Sequence, residues 1–566
     1  MTLDQLSKKS DQSQLAIYRP GSESLVSESI AQDSVGAGNI LQSGHGLAAS
    51  IGRNTIFGMV ASGIQVTTRL VTIPIVIAHL GLGGYGIWSI IMTTAAYMRF
   101  GSVGIKSAFQ KYVAEATGSG DYRRANKLLS TGCGAMFVLS ILGLLPVFFL
   151  SGTLARMAGV PPAFLTATTR SISMLALIMI LSNVCAAFEA VLLGGHRIDV
   201  ARRLSTTFVV AEAIAIVVVL HFEYGLFAMA SIMGASEAGY VLCCYLASRK
   251  VVPEIHLAVK EMSREVLREL VRFAGSYQLV SVLQVLYAAL LPVTMLRVFG
   301  ANYAGIYALG LRMINPAQML LDAFLLSILS GGAMVYASGA TERMRILLHK
   351  SYKITFAFAF ISMAFIACFG PTIIFAWTGQ NAPEFHRALI LVSIAGVFQA
   401  VSILGLVLYR ISGSAFLDNI RQVLVLATLF VVTLFAGKMG FSGVLAGLAF
   451  AELLGMLFMI YAVAKTFHLF TPATLLADAL KALVAAAGIV LVGVAASYIP
   501  SPLTGPRTVA WIRLGEVFVA CLLALVPALL LSRFVSIAEG RGLLKAILPG
   551  HFARTVVSTP AMETGD

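Results

Sequence analysis

The chain has 566 residues, of which 58% are hydrophobic and 12% charged, and its mean hydropathy is +0.88. A soluble domain carries about 25% charged residues; half that share, with apolar runs of about 18 residues or more recurring throughout, excludes a soluble protein and points to a polytopic helical membrane protein. The net charge of +14 does not point to nucleic acid, because Lys and Arg cluster in short loops between apolar runs, the pattern that orients a membrane protein.

The first 50 residues are polar, Ser- and Gln-rich and lack the apolar core of a signal peptide, so they read as a disordered cytoplasmic tail. About fourteen spans follow, at 54–79, 85–109, 128–150, 164–194, 206–220, 224–246, 273–298, 302–333, 354–376, 386–409, 422–437, 441–464, 479–499 and 509–532. Closed barrels do not fit, because their strands alternate in polarity. Residues 254–272 differ: Met262, Val266, Leu267, Leu270 and Val271 form an apolar stripe with Lys260, Arg264, Arg268 and Arg272 opposite. That pattern fits an amphipathic helix on the membrane surface, or a solvated linker helix. The expected organisation is an N-lobe at 51–250, a linker at 251–272, a C-lobe at 273–465, two further spans at 466–532 and a tail at 533–566.

Basic residues recur in alternate loops: Arg123, Arg124 and Lys127; Arg197, Arg202 and Arg203; Arg249 to Arg272; Arg343 to Lys353; then Arg410, Arg421 and Lys465. The other side carries scattered basics such as Arg156, Lys438 and Arg507. An excess of roughly four to one places both termini in the cytoplasm. All six cysteines (Cys133, Cys185, Cys243, Cys244, Cys368 and Cys521) lie in apolar runs without metal-like spacing; they read as small packing residues. No metal or cofactor motif is present.

Gly81 to Trp88 reads GLGGYGIW and Gly300 to Tyr307 reads GANYAGIY, 219 residues apart. At the same offset Arg53 meets Arg272, Gln65-Val66 meets Gln284-Val285, Ser119-Gly120 meets Ser338-Gly339, and Gly194, Asp199 and Arg202 meet Gly413, Asp418 and Arg421. Gly225 and Glu237 match Gly440 and Glu452 at 215. A register held across six spans indicates an internal duplication. An even number of spans per copy makes the copies parallel, with a substrate path expected between them.

LGLGGYGIW, QKYVAEATGSGDYRRANKLL after the second span and GIYALGLRMINPAQMLL in the eighth resemble the Wzx-type flippases of lipid-linked oligosaccharides, whose superfamily also holds MATE drug antiporters and MurJ lipid II flippases. The resemblance covers roughly residues 50 to 465. It implies two six-helix lobes around a cavity that opens alternately to each side of a bacterial inner membrane. Its cargo is then a polyprenyl-diphosphate-linked oligosaccharide for polysaccharide biosynthesis, with a polymerase and chain-length machinery as partners. Where relatives often carry an Asp, GSVGI has Ser102.

Ionisable groups inside spans are costly and usually face a wet cavity or a partner. Arg69, Arg99, Lys106 and Arg312 are the candidates for contacting a diphosphate, since Arg matches phosphate oxygens with a planar fork. The rival reading pairs them with acids such as Asp322 or Glu212, or lets Lys106 snorkel. Glu237 and Glu452, at equivalent places in the two halves, and Asp322, near Asn315-Pro316, are candidates for ion coupling; an inherited interhelical hydrogen bond is the alternative for the two glutamates. Rival functions are a MATE-like small-molecule antiporter, and an integral membrane glycan polymerase or glycosyltransferase. The short outer connections and the lack of an HExxH, GxSxG or Walker pattern argue against an enzyme.

Overall fold

The computed structural model describes residues 37–98, 121–194, 197–251, 253–254, 256–337, 341–411, 416–467, 472–497 and 506–531. Among them the regular elements are helical. In chain order these are α1 (Ala37–Met98), α2 (Tyr122–Met157), α3 (Pro162–Gly194), α4 (Ile198–His221), α5 (Gly225–Val251), α6 (Arg264–Thr294), α7 (Ala301–Ala337), α8 (Thr341–Thr378), α9 (Glu384–Ile411), α10 (Phe416–Leu434), α11 (Ala436–Phe467), α12 (Pro472–Ser497) and α13 (Arg507–Leu531). Helix α1 is broken at Gly81 and supplies the first span and the described part, to Met98, of the second, so these thirteen helices fall on all fourteen expected spans. At 1.5 Å per residue, a helix of about 20 residues crosses the hydrocarbon. Eleven helical stretches among the described residues are long and apolar enough to do so.

By contacts the chain divides after Ile64. Met1–Ile64 contributes, among described residues, the first stretch of α1; all packing below lies within Gln65–Asp566. Residues 37–50, read from sequence as tail, belong to α1. The stretch read as an amphipathic linker is not a helix of its own. A short 3-10 turn at Val259–Glu261 precedes α6, which runs unbroken from Arg264 into the seventh span. Side chains of α2 hold this connection by its backbone: Asn126 Nδ2 donates to Glu254 O at 3.0 Å, and Ser130 Oγ and Thr131 Oγ1 accept from the N–H groups of Ala258 and Ser263.

The two halves repeat one set of helix pairings. In the first, α3 packs on α2 and α5, and α4 on α5; in the second, α9 packs on α8 and α11, and α10 on α11. Gln65 Nε2 of α1 donates to Ser205 Oγ and Thr206 Oγ1 of α4, each at 3.2 Å, matching the α6–α10 contact of the second half. Asn183 Nδ2 of α3 donates to Met98 O at the end of α1, matching α7 on α9. The last two helices form a hairpin on α8. Its apolar seam includes Phe369, Phe375, Ile489, Leu514 and Val517. Outward faces stay apolar: on α2, Phe137, Leu142 and Phe149 are 50–72% exposed, as a lipid-facing surface requires.

Glycines with positive φ confirm the duplication at the turns. Among the described residues they are Gly81, Gly159 and Gly225 in the first half and Gly300, Gly379 and Gly440 in the second. Each follows an odd-numbered span, so in a chain that crosses every time they share one end of the bundle. Gly81 (φ 68°, ψ 175°) and Gly300 (φ 94°, ψ 176°) hold a conformation essentially closed to other residues. The Gly159–Gly379 pair escaped the sequence comparison, because the flanking segments, AGVPPAF and TGQNAPEF, differ in length by one residue.

At this end the halves meet backbone to backbone. A Cβ on Gly86 would lie 2.3 Å from Ala301 O, and one on Gly305 would lie 2.3 Å from Leu82 O. Gly86 and Gly305 are equivalent repeat positions, as are Leu82 and Ala301, so the contact is two-fold in character. This explains why the repeated motif keeps two glycines for different reasons. Gly81 and Gly300 have open space where a Cβ would go and need their φ; Gly86 and Gly305 need the room.

The two kinds of glycine should therefore respond differently. Gly300→Ala should cost about 1–3 kcal/mol of stability and leave the closed end intact. Gly305→Val should hold this end open, read as faster labelling of a cysteine placed at Met92, in a cysteine-free background, by a membrane-impermeant maleimide added on that side. Equal labelling of both variants would show that the Gly86–Gly305 contact does not seal the bundle.

Candidate functional site

A cavity of about 570 Å³ lies in the first half, walled by α1, α3, α4 and α5, with Arg312 of α7 reaching it from the second half. Its polar lining includes Gln65, Thr68, Arg69, Ser89, Glu212 and Glu237, and its aromatic lining Tyr85, Trp88, Phe208 and Tyr240. Arg69 lies in the field of both Arg312 and Glu212. Arg312 sits beside the buried Tyr85 hydroxyl. Among the described residues neither Arg69 nor Arg312 forms a salt bridge. The guanidinium groups of Arg69 and Arg312 share this cavity with the carboxylates of Glu212 and Glu237.

A second, apolar groove of about 1000 Å³ runs along α1, α7, α8, α12 and α13. Leu70, Pro74, Met313, Pro316, Phe358, Phe365, Trp511 and Phe518 are among its walls, and Arg312 lines it as well. One arginine thus stands where a polar cavity and an apolar groove meet.

The buried acids are treated differently in the two halves. Glu237 of α5 lines the cavity and accepts a hydrogen bond from Ser182 of α3. Glu452 of α11, 1% exposed, is enclosed. Arg421 Nη2 of α10 binds its Oε2 at 2.7 Å, and Tyr287 of α6 donates to Oε1 at 2.6 Å. Arg421 Nε in turn donates to Ser402 Oγ of α9 at 2.7 Å. Ser182 and Ser402 stand 220 residues apart, the offset of Gly159 and Gly379, and Glu237 and Glu452 stand 215 apart, the offset of Gly225 and Gly440. The halves therefore share the serine and the acid, and the second inserts an arginine between them.

Arg421, which reads as a loop basic in the sequence, is buried to 5% exposure, because α10 begins at Phe416, six residues before the expected span. Asp322 is exposed on α7 and lines neither the cavity nor the groove. Arg99 and Lys106 lie outside the described residues. Residues that the sequence left in other roles are Glu212, first read as a rival partner, and Tyr85, an unremarked residue inside the repeated motif. Hydropathy shows neither one's position, since it does not say which face of a helix is wet.

Among known proteins, the MatE family model matches residues 56–218. The uncharacterized membrane protein EpsK of Bacillus subtilis (strain 168) is 23% identical over 241 residues, 42% of this chain and 47% of that protein. The chain thus matches about half the length of that curated relative. A multidrug resistance MATE family transporter in its inward-facing conformation superposes with a TM-score of 0.60 at 14% identity, covering 72% of this chain and 95% of its own. The lipid II flippase MurJ in an inward closed conformation gives 0.61 at 14% identity, covering 83% and 97%. The chain is a multi-pass membrane protein of all-α fold, a fold it shares with the MATE and MurJ structures, and its residues 56–218 match the MatE family model.

Proposed function

We propose that this protein is an alternating-access flippase for polyprenyl-diphosphate-linked oligosaccharides, moving them from the inner to the outer leaflet of a bacterial inner membrane with both its termini cytoplasmic. The observation that carries this reading is Arg312, shared by a cavity with two arginines and an apolar groove open to the bundle's side. A lipid-linked diphosphate needs both chemistries at adjacent places: fixed cations for phosphate oxygens, and an apolar path for a chain that does not leave the hydrocarbon. The hydroxyls, amide and aromatic faces around Arg69 offer hydrogen bonds and stacking surfaces to sugars. Arg99 and Lys106 extend the same proposal to residues of the second span.

A MATE-like small-molecule antiporter is the second reading, favoured by the MatE match over 56–218 and by Glu212 and Glu237 in the cavity. The two differ in what the arginines do. For the flippase, Arg69→Ala and Arg312→Ala should each lower surface polysaccharide tenfold or more at normal protein level. The lipid-linked sugar should accumulate on the inner leaflet. Unchanged polysaccharide together with lost efflux of a cationic dye would instead establish the antiporter.

Ion coupling is assigned here to Glu237, which faces the cavity, rather than to Glu452, which Arg421 neutralises. Asp322 would act only at the exposed face of α7. Glu237→Gln should flatten the pH dependence of transport while leaving binding of inorganic pyrophosphate unchanged. Arg421→Ala should instead lower stability by about 3–5 kcal/mol, by leaving a buried carboxylate unpaired, seen as a fall in Tm. A fully pH-responsive Glu237→Gln variant would remove the coupling assignment.

A further inference from the structure

Proline at position 74, inside α1, cannot donate the hydrogen bond that a helix directs from residue 74 to the carbonyl of residue 70. The structure answers that carbonyl from the other half: Trp377 Nε1 donates to Leu70 O at 2.9 Å. Trp377 is the next-to-last residue of α8, where helical carbonyls also lack partners. Arg507, the first residue of α13, donates to two of them, Ala376 O at 3.1 Å and Trp377 O. One tryptophan thus joins the first half to the second, and through Arg507 to the C-terminal hairpin, at the end where Gly86 meets Gly305. Leu70 follows Arg69 directly, and Leu70, Pro74, Trp377 and Arg507 line the groove that ends at Arg312.

We infer that Trp377 is a positioning residue for transport: its indole N–H occupies the carbonyl orphaned by Pro74 and so latches α1, with Arg69, against the second half. The bond has a built-in alternative. A carbonyl without a helical partner binds Trp377 while this end is closed, and turns to water when the halves part. An ordinary helical carbonyl would have no reason to hold the indole, so the proline makes the latch. The inference rests on the transport reading for its purpose and not for its geometry.

The experiment uses the full chain in lipid nanodiscs, with its six cysteines replaced and spin labels at His79→Cys and His386→Cys. Both histidines are exposed and report the separation of the halves at this end. Trp377→Phe keeps the ring and removes the N–H; it should shift the distance distribution toward longer separations and weaken inorganic pyrophosphate binding several-fold. Pro74→Ala should produce the same shift, because residue 74 then supplies the missing N–H within the helix. The double variant should shift no further, since both changes remove one bond, and it should recover the Tm lost in Trp377→Phe. Additive shifts, or unchanged distances in either single variant, would overturn the latch. If Trp377→Phe does not reconstitute, Pro74→Ala, whose helix gains a bond, decides the matter alone. Absence of pyrophosphate binding in the parent protein would count against the anion reading, while the distances still decide the latch.

Discussion

Hydrocarbon offers no hydrogen-bond partner to a backbone carbonyl or N–H, and every helix interruption in this bundle has to be answered from within the protein. The answers are specific. Trp377 takes the carbonyl that Pro74 frees, Arg507 takes the free carbonyls at the end of α8, and α2 side chains hold the connection into α6. Each answer comes from a different element of the chain, so a local defect becomes a tertiary contact. Apolar packing then fills the space between helices but does not choose their register, because lipid tails are as apolar as leucine.

Duplication supplies two similar halves, and divergence at a few polar positions makes them unequal. Glu237, which accepts a hydrogen bond from Ser182, lines the cavity. Their counterparts Ser402 and Glu452 are closed by Arg421 and Tyr287. A buried ion pair between α10 and α11 makes separation of those helices costly, since it would leave an unpaired charge away from water. The first half carries most of the cavity wall, and the second, braced by that ion pair, reaches in with Arg312. For the transport proposed above, in which two rigid units would rock against each other, that division is well suited.

Glycine and proline mark where movement is possible and where it is sealed. Gly86 and Gly305 let two backbones touch without side chains between them, so the closed end depends on area rather than on strong bonds. The Pro74 carbonyl gives the same end one directional bond. In the proposed latch, such a combination would close this end firmly and release it without breaking a helix.

Much of this architecture was legible in the chain itself. Apolar runs of span length set the number of helices, because only a helix satisfies its own backbone in lipid. Glycines and polar residues in one register disclosed the duplication, because turns and buried polar groups cannot drift as apolar positions can. The cavity arginines Arg69 and Arg312 were visible as charges too costly to face lipid. Partners were not legible. That Arg421 belongs to Glu452, that Glu237 faces the cavity, and that Trp377 answers Pro74 from 307 residues away depend on which faces of distant helices meet. Composition and periodicity hold no record of that pairing between distant faces. Sequence alone determined the helices and their doubling, through local backbone chemistry; tertiary packing decided which buried charges are enclosed by a partner and which line the cavity.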